Sequence, residues 1–289
     1  MGRLVLLSAI VYCLSIHSIG AQEALKVIEK DDIIYGQTDG SALLADIAYP
    51  EGKDKLPVIL IVHGGRWKSG AKNDPESSAR VAPWAEAGFL ALNIDYRLVG
   101  STPAPACYQD LQTAIRWVHA HGGEYPIDMN RIYLIGFSSG GHEVALAATL
   151  GEGAYPRTGG WVDAGADFRA AISVSGAYDL NTLPWGDLWT PLSGDAEFAR
   201  RIASPIHNIG PATKPILIVH SDDDRSVPVR QAIDMNQALD AAKVFHKFIH
   251  YHDKGHVGMT EEVNKEARGF IAEVEARDSQ GDRPASPHK

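Results

Sequence analysis

The stretch Arg131-Ile132-Tyr133-Leu134-Ile135-Gly136-Phe137-Ser138-Ser139-Gly140-Gly141-His142-Glu143-Val144-Ala145-Leu146-Ala147-Ala148 decides how this chain must be read. Its first part is an apolar run suited to a buried strand, and its last part is rich in Ala and Leu, suited to a helix. Between them two glycines flank one serine, Gly136-x-Ser138-x-Gly140. Glycines in that setting leave room for a sharp strand-to-helix turn that pushes the hydroxyl out of the backbone, where a base and a carbonyl can both reach it. A hydroxyl alone is a poor nucleophile at neutral pH, so this reading needs a base and an acid elsewhere in the chain.

Outward from that stretch, strand and helix alternate. Residues 58–62 form a continuous β-branched run of the kind found in fully buried parallel strands. Further strands are predicted over residues 89–96, 132–136, 170–174, 216–220 and 244–251, and helices over residues 77–87, 108–121, 139–150, 229–242 and 261–274. Residues 26–35 and 42–49 flank Asp39-Gly40 and predict a hairpin, because Asp-Gly suits a tight turn. The expected fold is α/β: a mostly parallel central sheet flanked by helices, with an antiparallel hairpin at its N-terminal side. Insertions at residues 151–167 and 179–213 interrupt the alternation, and no repeat or linker divides the chain. A single domain over residues 22–276 follows, with a disordered tail at residues 277–289, where apolar periodicity is lost.

Composition narrows the function classes. The chain of 289 residues is 45% hydrophobic and 22% charged, which is ordinary for a globular protein. A formal net charge of -9 with no basic stripe argues against nucleic-acid binding. Met1-Gly2-Arg3 followed by the apolar run at residues 4–19, and then small residues at Ser18, Gly20 and Ala21, predicts a signal peptide at residues 1–21 and a secreted or periplasmic protein. The run is short of the ~20 residues a membrane span needs, so no stable membrane insertion is expected after cleavage. Tyr12 before Cys13 is not the small residue that a lipoprotein signal requires. Cleavage leaves Cys107 alone, without an internal disulfide partner, and its setting at the start of a helix reads as a buried packing residue.

In open α/β sheets, sites gather beyond the carboxyl ends of the strands. Ser138 lies there, as do His63-Gly64-Gly65-Arg66-Trp67, Asp224 and His256. The order Ser, then acid, then His is that of the α/β-hydrolase fold. Ser138 is the candidate nucleophile, and the N–H groups of Gly65, Arg66 and Ser139 are candidate donors to a tetrahedral oxyanion. Asp222, Asp223 and Asp224 compete for the acid; Asp224 is favoured, with Asp223 as its rival. His250, His252 and His256 compete for the base, and His256 is favoured because Gly255-His256-Val257-Gly258 reads as a flexible turn. The same histidines with Asp253 resemble a metal set, but that leaves the serine motif unexplained; neither a metal nor a cofactor is expected. Trp67, Trp185 and Trp189 are candidates for a pocket that stacks on sugar rings, against the alternative of core packing. The Arg66 side chain reads as a surface ion pair.

The motifs His63-Gly64-Gly65-x-Trp67-x-x-Gly70-x-Lys72, Asp95-Tyr96-Arg97, Gln109-Asp110, Arg116-Trp117 and Gly136-x-Ser138-x-Gly140-Gly141-His142 together resemble the bacterial carboxylesterases related to bifunctional feruloyl and acetylxylan esterases, and also the kynurenine formamidases. The resemblance runs from residue 34 to residue 271. It implies a cofactor-free acyl hydrolase with Ser138, Asp224 and His256 as its triad, acting on a small-molecule or polysaccharide ester. Formamidase and serine peptidase activities are the rival readings, and a silent binding protein is disfavoured because all three triad residues are present. The chain departs from the pattern at Arg66, Ser139 and Glu143, the last two standing where such sequences more often carry Ala and Leu. The sequence leaves acyl length, alcohol moiety and oligomeric state open.

Overall fold

The computed structural model describes residues 25–74, 79–153 and 155–279. The leader at residues 1–21 and tail residues 280–289 lie outside the described residues. Eight strands form one sheet in the order β1-β2-β4-β3-β5-β6-β7-β8. Strands β1 (Val27–Thr38) and β2 (Ser41–Pro50) make the expected hairpin, and Asp39 and Gly40 both take positive φ in its turn. Strand β2 also pairs antiparallel with β4 (Leu90–Ile94). From there β3 (Leu56–Val62), β5 (Ile127–Phe137), β6 (Ala170–Val174), β7 (Ile216–Ser221) and β8 (His246–Tyr251) run parallel.

The central strands are mainly apolar because both faces of the sheet are covered. In β3, Val58, Leu60 and Val62 enter one core, while Ile59 and Ile61 enter the other. The first core is closed by helices α2 (Ala106–Ala120), α3 (Ser139–Leu150) and α5 (Arg230–Ala241) and by the second insertion. The second is closed by α1 (Ala82–Glu86) and α6 (Glu261–Ser279), through Trp84 and Phe270 among others. Each fully buried Ile, Val or Leu contributes about 1.5–3 kcal/mol of transfer free energy, so the sheet centre is a rigid base for the loops at its carboxyl edge.

Strand β5 begins at Ile127, five residues ahead of the expected 132, and three further features differ from expectation. Helix α1 begins only at Ala82, where Pro83 fits the first turn; residues 79–81 are not helical. Helix α6 continues through Ser279, so residues 277–279 belong to the helix and not to a disordered tail; the Arg277 guanidinium lies 4.3 Å over the Phe245 ring, a contact that holds the last turn. The second insertion contains a helix that apolar periodicity did not reveal, α4 (Ala196–Ile202). Its signal was a cap: the Asp195 carboxylate accepts the Glu197 and Phe198 N–H groups at 2.9 and 3.1 Å, and Arg200 and Arg201 occupy its last turn. Among the described residues, no helix is long and apolar enough to cross a membrane.

Candidate active site

Strand β5 ends in the expected elbow. Ser138 is held at φ 55 and ψ -115, a conformation that costs a non-glycine residue of order 1–3 kcal/mol. The Ser138 N–H donates to the Val174 carbonyl at 2.8 Å, and its carbonyl accepts the His142 N–H at 3.0 Å. Glycine is obligatory on both sides. A Cβ on Gly136 would stand 2.1 Å from the Gly140 carbonyl oxygen, and one on Gly140 would stand 2.2 Å from that of Val62.

The loop after β3 packs directly on this elbow: a Cβ on Gly64 would meet the Phe137 carbonyl at 3.0 Å and the Ser138 Cβ at 3.2 Å. Gly65, Arg66 and Trp67 follow with three successive positive φ values, 114, 56 and 57. Consecutive N–H groups in such a conformation form a concavity for negative charge. Ser139 is the first residue of α3, so its N–H has no partner within the helix. Among the described residues, the N–H groups of Gly65, Arg66 and Ser139 donate to no other group. The loop is braced from behind by His63, whose ring stacks on Tyr96 at 4.1 Å, and by the Tyr96 hydroxyl, which donates to the His63 carbonyl at 3.2 Å. Burial lowers the pKa of His63, which is a neutral structural group here.

The three consecutive aspartates have three different partners. Asp222 takes His250 and His252, at 2.5 and 2.6 Å. Asp223 accepts the Ser221 hydroxyl at 2.7 Å and the Gly255 N–H at 2.8 Å, which ties the two loops together. Asp224 is buried; one oxygen accepts the Ser226 and Val227 N–H groups at 2.8 and 2.9 Å, and the other pairs with His256 Nδ1 at 2.8 Å. Burial alone would push the Asp224 carboxyl up, but the His256 contact and the two N–H donors outweigh it and hold the pKa below the usual carboxylate range. The His256 ring leans on Phe137, the residue before Ser138, with centroids 4.9 Å apart. Ser175 fixes the adjoining backbone, its hydroxyl donating to the Val257 carbonyl at 2.9 Å. No hydrogen bond joins Ser138 Oγ to His256 Nε2 among the described residues; such bonds often tighten only when substrate binds.

Elbow, N–H concavity and acid–imidazole pair therefore meet at the carboxyl edge of the sheet, and a family model described as BD-FAE matches residues 45–239, which carry all of these groups except His256. The chain belongs to the BD-FAE family. It is 28% identical over 242 residues to Esterase LipC of Mycobacterium tuberculosis, covering 77% of this chain and 58% of that protein. It is 30% identical over 218 residues to the probable carboxylic ester hydrolase LipM of the same organism, covering 70% and 49%. The chain thus spans about half the length of the curated relatives it matches. Among solved structures, a truncated carbohydrate esterase from gut microbiota superposes with a TM-score of 0.75 at 25% identity, covering 89% of this chain and 99% of that one. The Est2 esterase of Thermogutta terrifontis shares the fold, with a TM-score of 0.69 at 23% identity and coverage of 87% and 95%.

Several motif residues of this BD-FAE chain, and the three candidate pocket tryptophans, are its scaffold. Lys72, on the loop that follows the N–H concavity, pairs with Asp32 and Asp46 at 2.8 and 2.7 Å, and its N–H donates to Asp95 at 2.7 Å. Arg97 grips the buried Asp110 through Nε and Nη2. Trp67 and Trp189 are fully buried and pack edge-on against the His142 ring, so neither can stack on a sugar as expected of a pocket residue. Trp185 is 8% exposed and donates to the Ser226 carbonyl at 2.9 Å, which pins the second insertion to the loop that carries Asp224. The expected Arg66 ion pair is also absent among the described residues; its guanidinium instead lies 5.6 Å over the Trp185 ring. Cation–π contact with an otherwise buried indole replaces the carboxylate. A shallow cleft at this edge is lined by Arg66, Asp223, Arg225, Ser226, Gly255 and His256.

Behind the elbow, His142 Nε2–H donates to the Ala203 carbonyl at 2.7 Å, and burial brings its pKa down to about 4. Burial pushes the Cys107 thiol up, which makes it an inert packing group. Glu143 is fully buried; among the described residues neither carboxylate oxygen meets the geometry of a full hydrogen bond, and the weakly donating Cys107 thiol lies beside it. The metal set drawn from His250, His252, Asp253 and His256 does not assemble, because His256 turns to Asp224 while His250 and His252 turn to Asp222.

Proposed function

We propose that this protein is an exported serine carboxylic ester hydrolase that works through Ser138, His256 and Asp224. The observation that carries the reading is the 2.8 Å pair between buried Asp224 and His256 beside the strained Ser138 elbow. In this mechanism His256 Nε2 takes the proton as Ser138 Oγ attacks the ester carbonyl carbon. The oxygen of the tetrahedral intermediate gathers negative charge and is met by the N–H groups of Gly65, Arg66 and Ser139, one of which is worth about 3 kcal/mol when lost. The alcohol leaves with the proton from Nε2, and water activated by the same nitrogen then releases the acid from the acyl-enzyme. Asp224 keeps Nδ1 occupied, which holds the ring in the tautomer and orientation that leave Nε2 to act.

The substrate class we propose is short-chain or aromatic acyl esters, with acetyl or feruloyl esters of polysaccharides as natural candidates. The likeness to a carbohydrate esterase supports this, as does the open and polar cleft beside His256. A long acyl chain has little to line its path: Leu180 and Leu183 of the second insertion are buried in the core, and Leu192 is 87% exposed. Export rests on the leader at residues 1–21.

The test is Ser138→Ala in the mature protein, assayed against acetyl, feruloyl, formamide and peptide substrates with circular dichroism alongside. Loss of ester hydrolysis in a folded variant is the expected result. Turnover near wild type would overturn the mechanism, and a wild-type preference for formamides or peptides would overturn the substrate class.

A further inference from the structure

Strand β8 is the outer edge of the sheet; His250 lies near its carboxyl end, and His252 is the first residue beyond it. Their rings come together, with centroids 5.2 Å apart. The neighbouring strand β7 pairs with β8 in the register His220 to His250 and Ser221 to Tyr251, which places Asp222 beside them. The Asp222 N–H donates to the Tyr251 carbonyl at 2.9 Å and fixes that placement through the backbone. The carboxylate then divides between the two rings: Oδ1 meets His250 Nε2 at 2.5 Å, and Oδ2 meets His252 Nδ1 at 2.6 Å. His250 is held in orientation by stacking on Phe248, with centroids 4.8 Å apart and planes 13° from parallel.

We propose that Asp222, His250 and His252 form a binding site for a borderline divalent transition ion, with zinc the best chemical match, at the edge of the sheet and outside the reacting groups. One ligand atom from each residue lies within 4.8 Å of the others. Bonds of ~2.0–2.2 Å in a tetrahedral set place donor atoms about 3.5 Å apart, so the three side chains need only open slightly for an ion to enter between them. Two imidazoles and one carboxylate suit zinc, cobalt, nickel or copper and do not suit the oxygen-seeking calcium and magnesium ions. All three residues are exposed, which leaves the remaining coordination position to water. The bound ion would staple the Asp222-Asp223-Asp224 turn to β8. It would stabilise the folded protein by mass action, because the unfolded chain does not hold these ligands together. His256 takes no part, since its Nδ1 is committed to Asp224.

The experiment titrates the metal-free mature protein with zinc chloride by calorimetry, and with cobalt chloride by visible absorption, in wild type, His252→Ala, Asp222→Asn and His256→Ala. Wild type and His256→Ala should each bind one equivalent, with the cobalt band of a four-coordinate site. His252→Ala and Asp222→Asn should bind at least about tenfold more weakly. His252 is exposed on a strand end, so its removal leaves the fold intact, as circular dichroism would verify. The thermal midpoint of wild type should rise with zinc, and that of His252→Ala should not. Equal affinity in wild type and His252→Ala, or no binding to wild type, would overturn the proposal. Binding lost only in His256→Ala would place the ion on the reacting imidazole and overturn it as well.

Discussion

Replacing Glu143 by Leu should stabilise this protein, and by an amount that grows with pH. Glu143 projects from α3 into a fully buried position where, among the described residues, no strong donor reaches its carboxylate and only the weak Cys107 thiol lies beside it. Burial pushes its pKa up from 4.5 to about 8; the nearby Cys107 thiol lowers it somewhat, and the charge of Asp110 adds to the rise. The folded protein therefore keeps a proton that the unfolded chain releases. Relative to an uncharged residue, the stability it allows is complete below about pH 4.5, falls by about 1.4 kcal/mol per pH unit above that, and levels off beyond about pH 8 with roughly 5 kcal/mol lost. Leucine has similar bulk and no polar atom, and removing an unsatisfied buried group is itself worth about 1–3 kcal/mol. Urea unfolding of wild type and Glu143→Leu at pH 5, 7 and 9 gives the answer directly. The gap between the two should widen by several kcal/mol from pH 5 to pH 9. A gap constant to within about 0.5 kcal/mol would mean that Glu143 finds a partner or water when charged, and would refute the reasoning.

Three further outcomes are expected. Asp224→Asn should lower turnover by up to about four orders of magnitude, because the imidazole loses the carboxylate that orients it, whereas Asp223→Asn, at a carboxylate that accepts from Ser221 and Gly255, should lose no more than about tenfold. Reversed effects in a side-by-side assay would transfer the acid role to Asp223. An acyl-length series from acetate to palmitate should peak at short chains and be unchanged by EDTA, since the proposed chemistry uses a serine and backbone donors and the edge metal site lies outside it; a long-chain maximum or a zinc-restored loss would count against that. Arg97→Lys should cost about 2–3 kcal/mol in urea unfolding, because a single ammonium cannot replace the Nε and Nη2 fork on buried Asp110, and an unchanged midpoint would show the fork to be dispensable.

The order of strands and helices was legible because each central strand is apolar on both faces and each turn beside the elbow needs glycine, and both requirements act within a few residues of chain. For the same reason Ser138 and the Gly64-Gly65 loop stood out: Gly136, Gly140 and Gly65 are places where any Cβ would strike backbone within about 2 Å. The choice among Asp222, Asp223 and Asp224 was different. Adjacent residues of one type have the same local propensities, and only the packing of the β7 and β8 loops decides that one carboxylate is buried against His256, one ties Gly255 and one faces His250 and His252. The tryptophans and Arg66 followed the same logic. An indole serves equally as core or as a sugar platform, and its role was settled when the second insertion folded back over Trp67 and brought Trp185 beneath the Arg66 guanidinium. Short-range sterics and periodicity thus wrote the sheet and the elbow into the sequence, while the pairing of Asp224 with His256 and of Trp185 with Ser226 depended on segments 32 and 41 residues apart in sequence, brought together only by folding.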